Sequence, residues 1–215
     1  MQVVDPLTLV APTLADAEPR SRLLAAVFSA LREKSFSAIS VADIVRLARV
    51  SKRTFYEHFP TREACYIAAY EALCSAMLAR IAIAATSEPS VEQRLFATTH
   101  AYLTALEEVP ELARTFFLEI QLAGPEALKA RRDVHRRFAD LLRLLVAQGQ
   151  IERPDLRTLS PSMSIAVVGA INELLMVRLE EGQPDLRPLA ATMVELVEAL
   201  VLPRPPPAVQ VGGTT

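Results

Sequence analysis

Residues 40–59 read SVADIVRLARVSKRTFYEHF, and this stretch decides the fold. Ser40 precedes an apolar-periodic segment, and Asp43 follows three residues later. That pair is a capping box: the Ser40 hydroxyl accepts from the amide at the third helical position while Asp43 reaches back. Val41, Ile44, Val45 and Ala48 recur at helical spacing and give a first helix one buried face. The chain turns through Arg49 and Val50, and Ser51 then caps a second helix. Phe55 and Phe59 stand one turn apart and face inward, which leaves Lys52, Arg53, Thr54, Tyr56 and His58 outside.

Two short helices joined this way form a helix-turn-helix, whose second helix lies in the major groove of DNA. Lys52 can neutralise phosphate, Thr54, Tyr56 and His58 can hydrogen-bond phosphate oxygens, and Arg53 can reach a base edge or a phosphate. Ser40, Arg49 and Ser51, at the helix starts and the turn, complete the expected contact set. On spacing alone the pattern also fits an ordinary helical hairpin with a solvated polar face.

The string S-V-x-D-I, then A-x-V-S-K-R-T-F-Y-x-H-F, then T-R-E-A, closely resembles the DNA-binding domain of the tetracycline-repressor (TetR) family. The resemblance covers roughly residues 20 to 66, with cap, turn and recognition helix in register together. It implies an all-α chain, with a helix-turn-helix head on a helical body that encloses a small-molecule cavity. It also implies a homodimer joined through the last two helices. Two positions depart from the pattern: the family has glycine where Arg49 and Ser35 stand, each just past a helix end. A left-handed residue there without glycine costs roughly 1 kcal/mol.

The formal net charge of −2 suits a DNA binder only once the chain is divided. Residues 18–66 hold nine Lys and Arg against five Asp and Glu, a net of +4, so the remainder carries −6. A basic head on an acidic body suits a protein whose head alone approaches phosphate. Hydrophobic residues make up 51% of the chain, which excludes a disordered one, and no Gly-rich loop exists to cradle a nucleotide. Cys65 and Cys74, nine residues apart on one expected helix, lie on opposite faces and cannot pair. With no signal peptide and no bilayer-spanning run (the longest uncharged stretch is Thr158 to Asn172), the expectation is a soluble, cytoplasmic protein with no membrane contact.

Nine helices and no strand are expected. Residues 1–17 read as a flexible arm, 18–66 as the head, 67–202 as the body and 203–215 as a disordered Pro-rich tail. The first helix starts near Pro19, and three helices around one small apolar centre make the head. Thr61 caps a helix of about 24 residues that begins in the head and ends in the body. Arg62, at its start, either touches the DNA backbone or is a solvated first-turn residue. Ser90 with Gln93 is a second capping box, Pro110 opens a helix to about Leu122, and a long helix runs from Pro125 to Gln148, closed by Gly149. Ser160-Pro161 opens the penultimate helix, which ends at Gly182 and Pro184 and is apolar nearly all round. One side of it is expected to pack the core and the other a second subunit, with a monomer as the alternative.

Candidate cavity residues are His100, Tyr102, Phe116, Phe117, Gln121, His135, Asn172 and Met176, polar or aromatic on otherwise apolar helices; each also reads as simple core packing. Arg131, Arg132, Arg136 and Arg137 flank His135, but the interleaved Asp133 and Asp140 favour a solvated, salt-bridged face over an anion site. No cluster has metal-ligand spacing and no catalytic triad is recognisable, so no metal, cofactor or enzymatic activity is expected. The reading is a transcription regulator on a near-palindromic operator, a repressor relieved by a small apolar or amphipathic ligand. A ligand-free regulator of the same fold, or an all-helical enzyme or scaffold, are the alternatives.

Overall fold

The computed structural model describes residues 18–183 and 185–203, and among these nine α-helices succeed one another with no strand. The expected arm, Pro184 and all but the first residue of the expected tail lie outside the described residues. The helices are α1 (Pro19–Leu31), α2 (Val41–Ala48), α3 (Lys52–His58), α4 (Arg62–Ala84), α5 (Val91–Glu107), α6 (Pro110–Leu118), α7 (Pro125–Glu152), α8 (Pro161–Glu180) and α9 (Leu189–Val201).

Most starts are set by hydroxyls at the cap. Ser40, Ser51, Thr61, Ser90 and Ser160 each accept a hydrogen bond from the amide three residues on. At Ser40 the box is complete, with the Ser40 amide donating to Asp43 at 3.0 Å. That backbone bond, joined by the Ser40 hydroxyl and Lys34, holds the Asp43 carboxyl down at about 2. At Ser90 the amide bond from Gln93 forms without the reciprocal side-chain bond expected of a box.

Helix ends follow the expectations less closely. Arg49 is left-handed at φ 52, ψ 46, the sole non-glycine residue with positive φ among those described. Its amide bonds the Arg46 carbonyl, and the Val50 amide bonds the Val45 carbonyl at 3.1 Å, which closes α2 in a Schellman turn. Ser35 instead is right of zero nowhere: it lies at φ −61, ψ 155. The Ala30 carbonyl accepts both the Glu33 and Lys34 amides, so α1 closes without a left-handed residue. α6 stops at Leu118 rather than Leu122 and passes into a 3₁₀ turn, Ile120–Ala123. Gly149 does not close α7, which continues to Glu152. A Cβ at Gly149 would stand 3.3 Å from the ends of Leu156 and Val91, so this glycine permits a close approach of α5 and the loop after α7. Gly182, at φ 69, does end α8 as expected.

The head does not have a small centre of its own. Phe28, Phe36, Phe55, Phe59 and Ile44 belong to one apolar core that continues through Tyr66, Leu73 and Phe116 into Leu103, Leu106 and Leu175 of the body. α4 contacts α1 on one side and α5 and α7 on the other, so it is buried on several faces and both Cys65 and Cys74 are free and covered. Two helices, Arg62–Ala84 and Pro161–Glu180, are long and apolar enough to cross a membrane, contrary to the expectation from uncharged runs. Each packs inward: α4 into this core through Tyr66, Ala69, Leu73 and Met77, and α8 through Leu175, with its Val167 in a second apolar cluster beside Val146 and Val197.

α8 presents its other side to solvent. Met163, Ile165 and Val177 are 42%, 44% and 43% exposed, and Gly169 meets nothing beside it. The split differs from a simple two-face division, because Val167 and Val168 both turn to the core. α9 uses its apolar stripe mostly within the chain, where Leu189, Met193, Val197 and Val201 are buried.

Candidate functional site: nucleic-acid interface and body cavity

Phe55 and Phe59 anchor α3 from beneath at 0% and 4% exposure, and this fixes which side chains point out. Lys52, Arg53, Tyr56 and His58 are exposed, Tyr56 to 57%, with its ring edge-on to Phe55. Arg53 pairs through Nε with Glu57 at 3.0 Å, an exposed pair worth little that a phosphate or base could displace. Thr54 is half-buried, its hydroxyl 2.9 Å from that of Ser51. The Ser40 and Ser51 hydroxyls are committed to their caps, at the two helix starts on this surface. Arg49 is exposed at the turn.

Arg62 is not available to phosphate as a phosphate clamp should be. Its guanidinium turns inward, donating to the Ile39 carbonyl at 2.6 Å and to Glu63 at 2.8 Å, and covers the Phe36 ring at 4.5 Å. The chain reverses around Phe36–Ile39, leaving carbonyls that need donors, and Arg62 supplies them. Arg22 does the same from α1: its Nε and Nη2 bond the Ala48 carbonyl at 3.0 and 2.6 Å, and Nη2 also bonds the Arg49 carbonyl. Sequence reasoning missed Arg22, since its partners lie 26 and 27 residues away and no local pattern marks it.

Contacts around the end of α6 add to the shared core in tying the head to the body. The Phe36 amide donates to Glu119 at 2.8 Å. Phe116 packs edge-on to Phe28 at 6.3 Å and against Tyr66 and Tyr70 at 5.3 and 5.4 Å.

Phe116 also lines a cavity of about 140 Å³ whose walls come from α4 to α9. Of the expected lining residues, Tyr102, Phe116, Phe117, His135 and Asn172 are on its wall, and His100, Gln121 and Met176 are not. His100 stands two residues from Tyr102, about 200° around α5, and packs on the exposed Phe96 at 4.1 Å. Gln121 is turned outward by the 3₁₀ turn that buries Ile120 and Ala123. Met176 lies a full turn beyond Asn172, past the end of the cavity.

Tyr70, Cys74, Thr98, Thr99, Arg131 and Phe138 line the wall without having been singled out as cavity residues. The two threonines were legible, because they sit on the inward stripe Leu95–Tyr102–Leu106 of α5. Burial pushes the Cys74 thiol up to about 12, so it is a neutral wall group. Burial, with the nearby Arg131 charge, holds His135 down at about 4, so its imidazole is neutral at pH 7. The basic run on α7 separates as expected for the most part: Arg136 pairs with Asp133, and Arg137 bonds Ser75 at 2.9 Å. Arg131 departs from it, half-buried on the cavity wall and making no hydrogen bond or ion pair among the described residues. No group of three or more His, Cys, Asp or Glu that could hold a metal occurs among the described residues.

Residues 23–69 match the model of the family described as bacterial regulatory proteins, tetR family. The chain is 26% identical over 185 residues to the HTH-type transcriptional regulator EthR of Mycolicibacterium smegmatis, across 81% of this chain and 82% of that one. Its fold matches the fatty acid degradation regulator FadR of Bacillus halodurans with a TM-score of 0.72 at 18% identity, over 85% of this chain and 95% of that one. It also matches the transcriptional regulator FadR of Bacillus subtilis, solved in complex with stearoyl-CoA, with a TM-score of 0.70 at 17% identity, over 82% and 96%. Over residues 23–69 the chain thus carries a helix-turn-helix domain of the kind found in the TetR family of bacterial regulatory proteins, and the likeness to EthR and the FadR folds extends over most of the chain.

Proposed function

We propose that this chain is a TetR-family regulator, a cytoplasmic repressor that binds a near-palindromic operator as a homodimer and is released by a small ligand in the body cavity. The observation that carries the switch is Phe116. One side chain forms part of the cavity wall and packs on Phe28 and Tyr66 against the head, so filling the cavity pushes on the surface that holds α3. The exposed apolar face of α8 supports the dimer, since burying it removes apolar surface from water. Two heads related by a dimer axis then read half-sites about 34–36 Å apart. The FadR relative that takes stearoyl-CoA supports a ligand with apolar character.

Selection from random DNA tests the first half, and a symmetric motif is expected. Lys52→Ala should weaken binding to all sequences and lower the salt slope by about 1, while Arg53→Ala should change the preferred sequence. A selection returning no symmetric motif would sink the dimeric reader. For the switch, linkage requires operator DNA to weaken ligand binding by the same factor by which ligand weakens DNA binding. Ligand affinity unchanged by operator would leave a regulator of the same fold without an inducer.

A further inference from the structure

We propose that the cavity selects a compact monocarboxylate, seated with its carboxylate on the Arg131 guanidinium and its apolar part among the aliphatic and aromatic walls. The assignment rests on the ligand-switch reading above and names the class of ligand for that site.

Arg131 is the one charged side chain on the wall among the described residues; the remainder is aliphatic, aromatic or neutral polar. The half-buried Arg131 guanidinium has no carboxylate, carbonyl or hydroxyl partner among the described residues, so its donors are left to water or to a ligand. Its neighbours on α7 show the contrast, because Arg136 and Arg143 each take the aspartate three residues before them. Arg131 faces the cavity instead and keeps its planar fork of donors available for an anion.

His135 lies four residues on, on the same face of α7, and also lines the cavity. It is neutral, so it offers one N–H donor beside the guanidinium and no second positive charge. A single cation balances a single negative charge. A phosphate or a nucleotide-bearing thioester would bring two or more charges into a wall with no further cation to meet them. Size points the same way. At about 140 Å³ the cavity is close to the roughly 150 Å³ that holds benzene in an engineered apolar site, and far below the roughly 300–1,000 Å³ of drug-sized pockets. A ring or a short chain carrying one carboxylate meets both limits.

The test is calorimetric titration of the full chain with two pairs of probes, benzoate against benzamide and hexanoate against hexanamide. Each acid should bind at least about tenfold more tightly than its amide, equivalent to about 1.4 kcal/mol. Arg131→Met should bring the ratio near one. Arg131 has no hydrogen-bond or ion-pair partner to lose among the described residues, and Arg132→Met, one position along and exposed, should leave the ratio intact. Equal affinity for acid and amide, an acid preference that survives in Arg131→Met, or no binding of either acid at millimolar concentration would each overturn the assignment. Operator release measured in parallel separates the two readings. Acids that bind preferentially but leave DNA bound refute the switch while supporting the carboxylate site, whereas amides that bind and release operator as well as the acids do refute the site alone.

Discussion

Replacing Arg49 by glycine should make this protein more stable. Arg49 occupies the left-handed position of the turn between α2 and α3, with φ 52 and ψ 46. An L side chain in that conformation costs about 1–2 kcal/mol through the clash of Cβ with the following carbonyl oxygen. Glycine removes that clash but loses about 0.5–1 kcal/mol through its greater freedom in the unfolded chain. The balance is a gain of about 0.5–1 kcal/mol. No contact is sacrificed, because the Arg49 side chain is exposed and the bond Arg22 makes is to its backbone carbonyl. For a chain of this length 1 kcal/mol moves the melting temperature by about 2–4 °C, so Arg49→Gly should melt about 1–4 °C higher by scanning calorimetry. Arg49→Ala keeps the Cβ and should melt within about 1 °C of the parent. A glycine variant that melts at or below the parent would refute the strain argument. Equal stabilisation by alanine would trace the gain to the lost charge instead.

Two further outcomes follow from the same geometry. Arg62→Met removes the bond to the Ile39 carbonyl and the cover over Phe36, and should cost about 1–3 kcal/mol in denaturant unfolding. It should weaken operator binding with the salt slope unchanged; a slope lowered by about 1 with stability intact would return Arg62 to the phosphate contacts. His135, held near 4, binds a proton in the unfolded chain between about pH 6.5 and 4 but not in the folded one, so stability falls as pH drops through that window. Discounted for partial exposure the loss is about 1–2 kcal/mol, and His135→Gln should flatten it relative to the parent in chemical unfolding at pH 7 and pH 5. Superimposable pH profiles would show that His135 titrates normally.

What the sequence determined by itself is what acts within four or five residues. The caps at Ser40, Ser51, Thr61, Ser90 and Ser160, the inward pair Phe55 and Phe59 and the left-handed Arg49 all depend on neighbours along the chain, and each was legible. Residue type alone, polar or aromatic on otherwise apolar helices, singled out Tyr102, Phe116, Phe117, His135 and Asn172, which the structure sets on the cavity wall. Tertiary structure decided the rest, because the deciding partner lay far along the chain. Gly149 is a packing glycine owing to Val91 and Leu156, and Arg62 turns inward to the carbonyl of Ile39, 23 residues earlier. His100 and Met176 have the residue types of cavity walls, but the first lies on the far side of its helix and the second a full turn beyond the wall. Arg131 carries the same charge as Arg132, Arg136 and Arg137, and no local rule separates them; only the packing of α7 against α4 and α8 turns one of the four toward an apolar cavity without a counter-charge. Hydrogen bonding at a cap is local and can be read from spacing, whereas the environment of a side chain is made by whatever the fold brings against it.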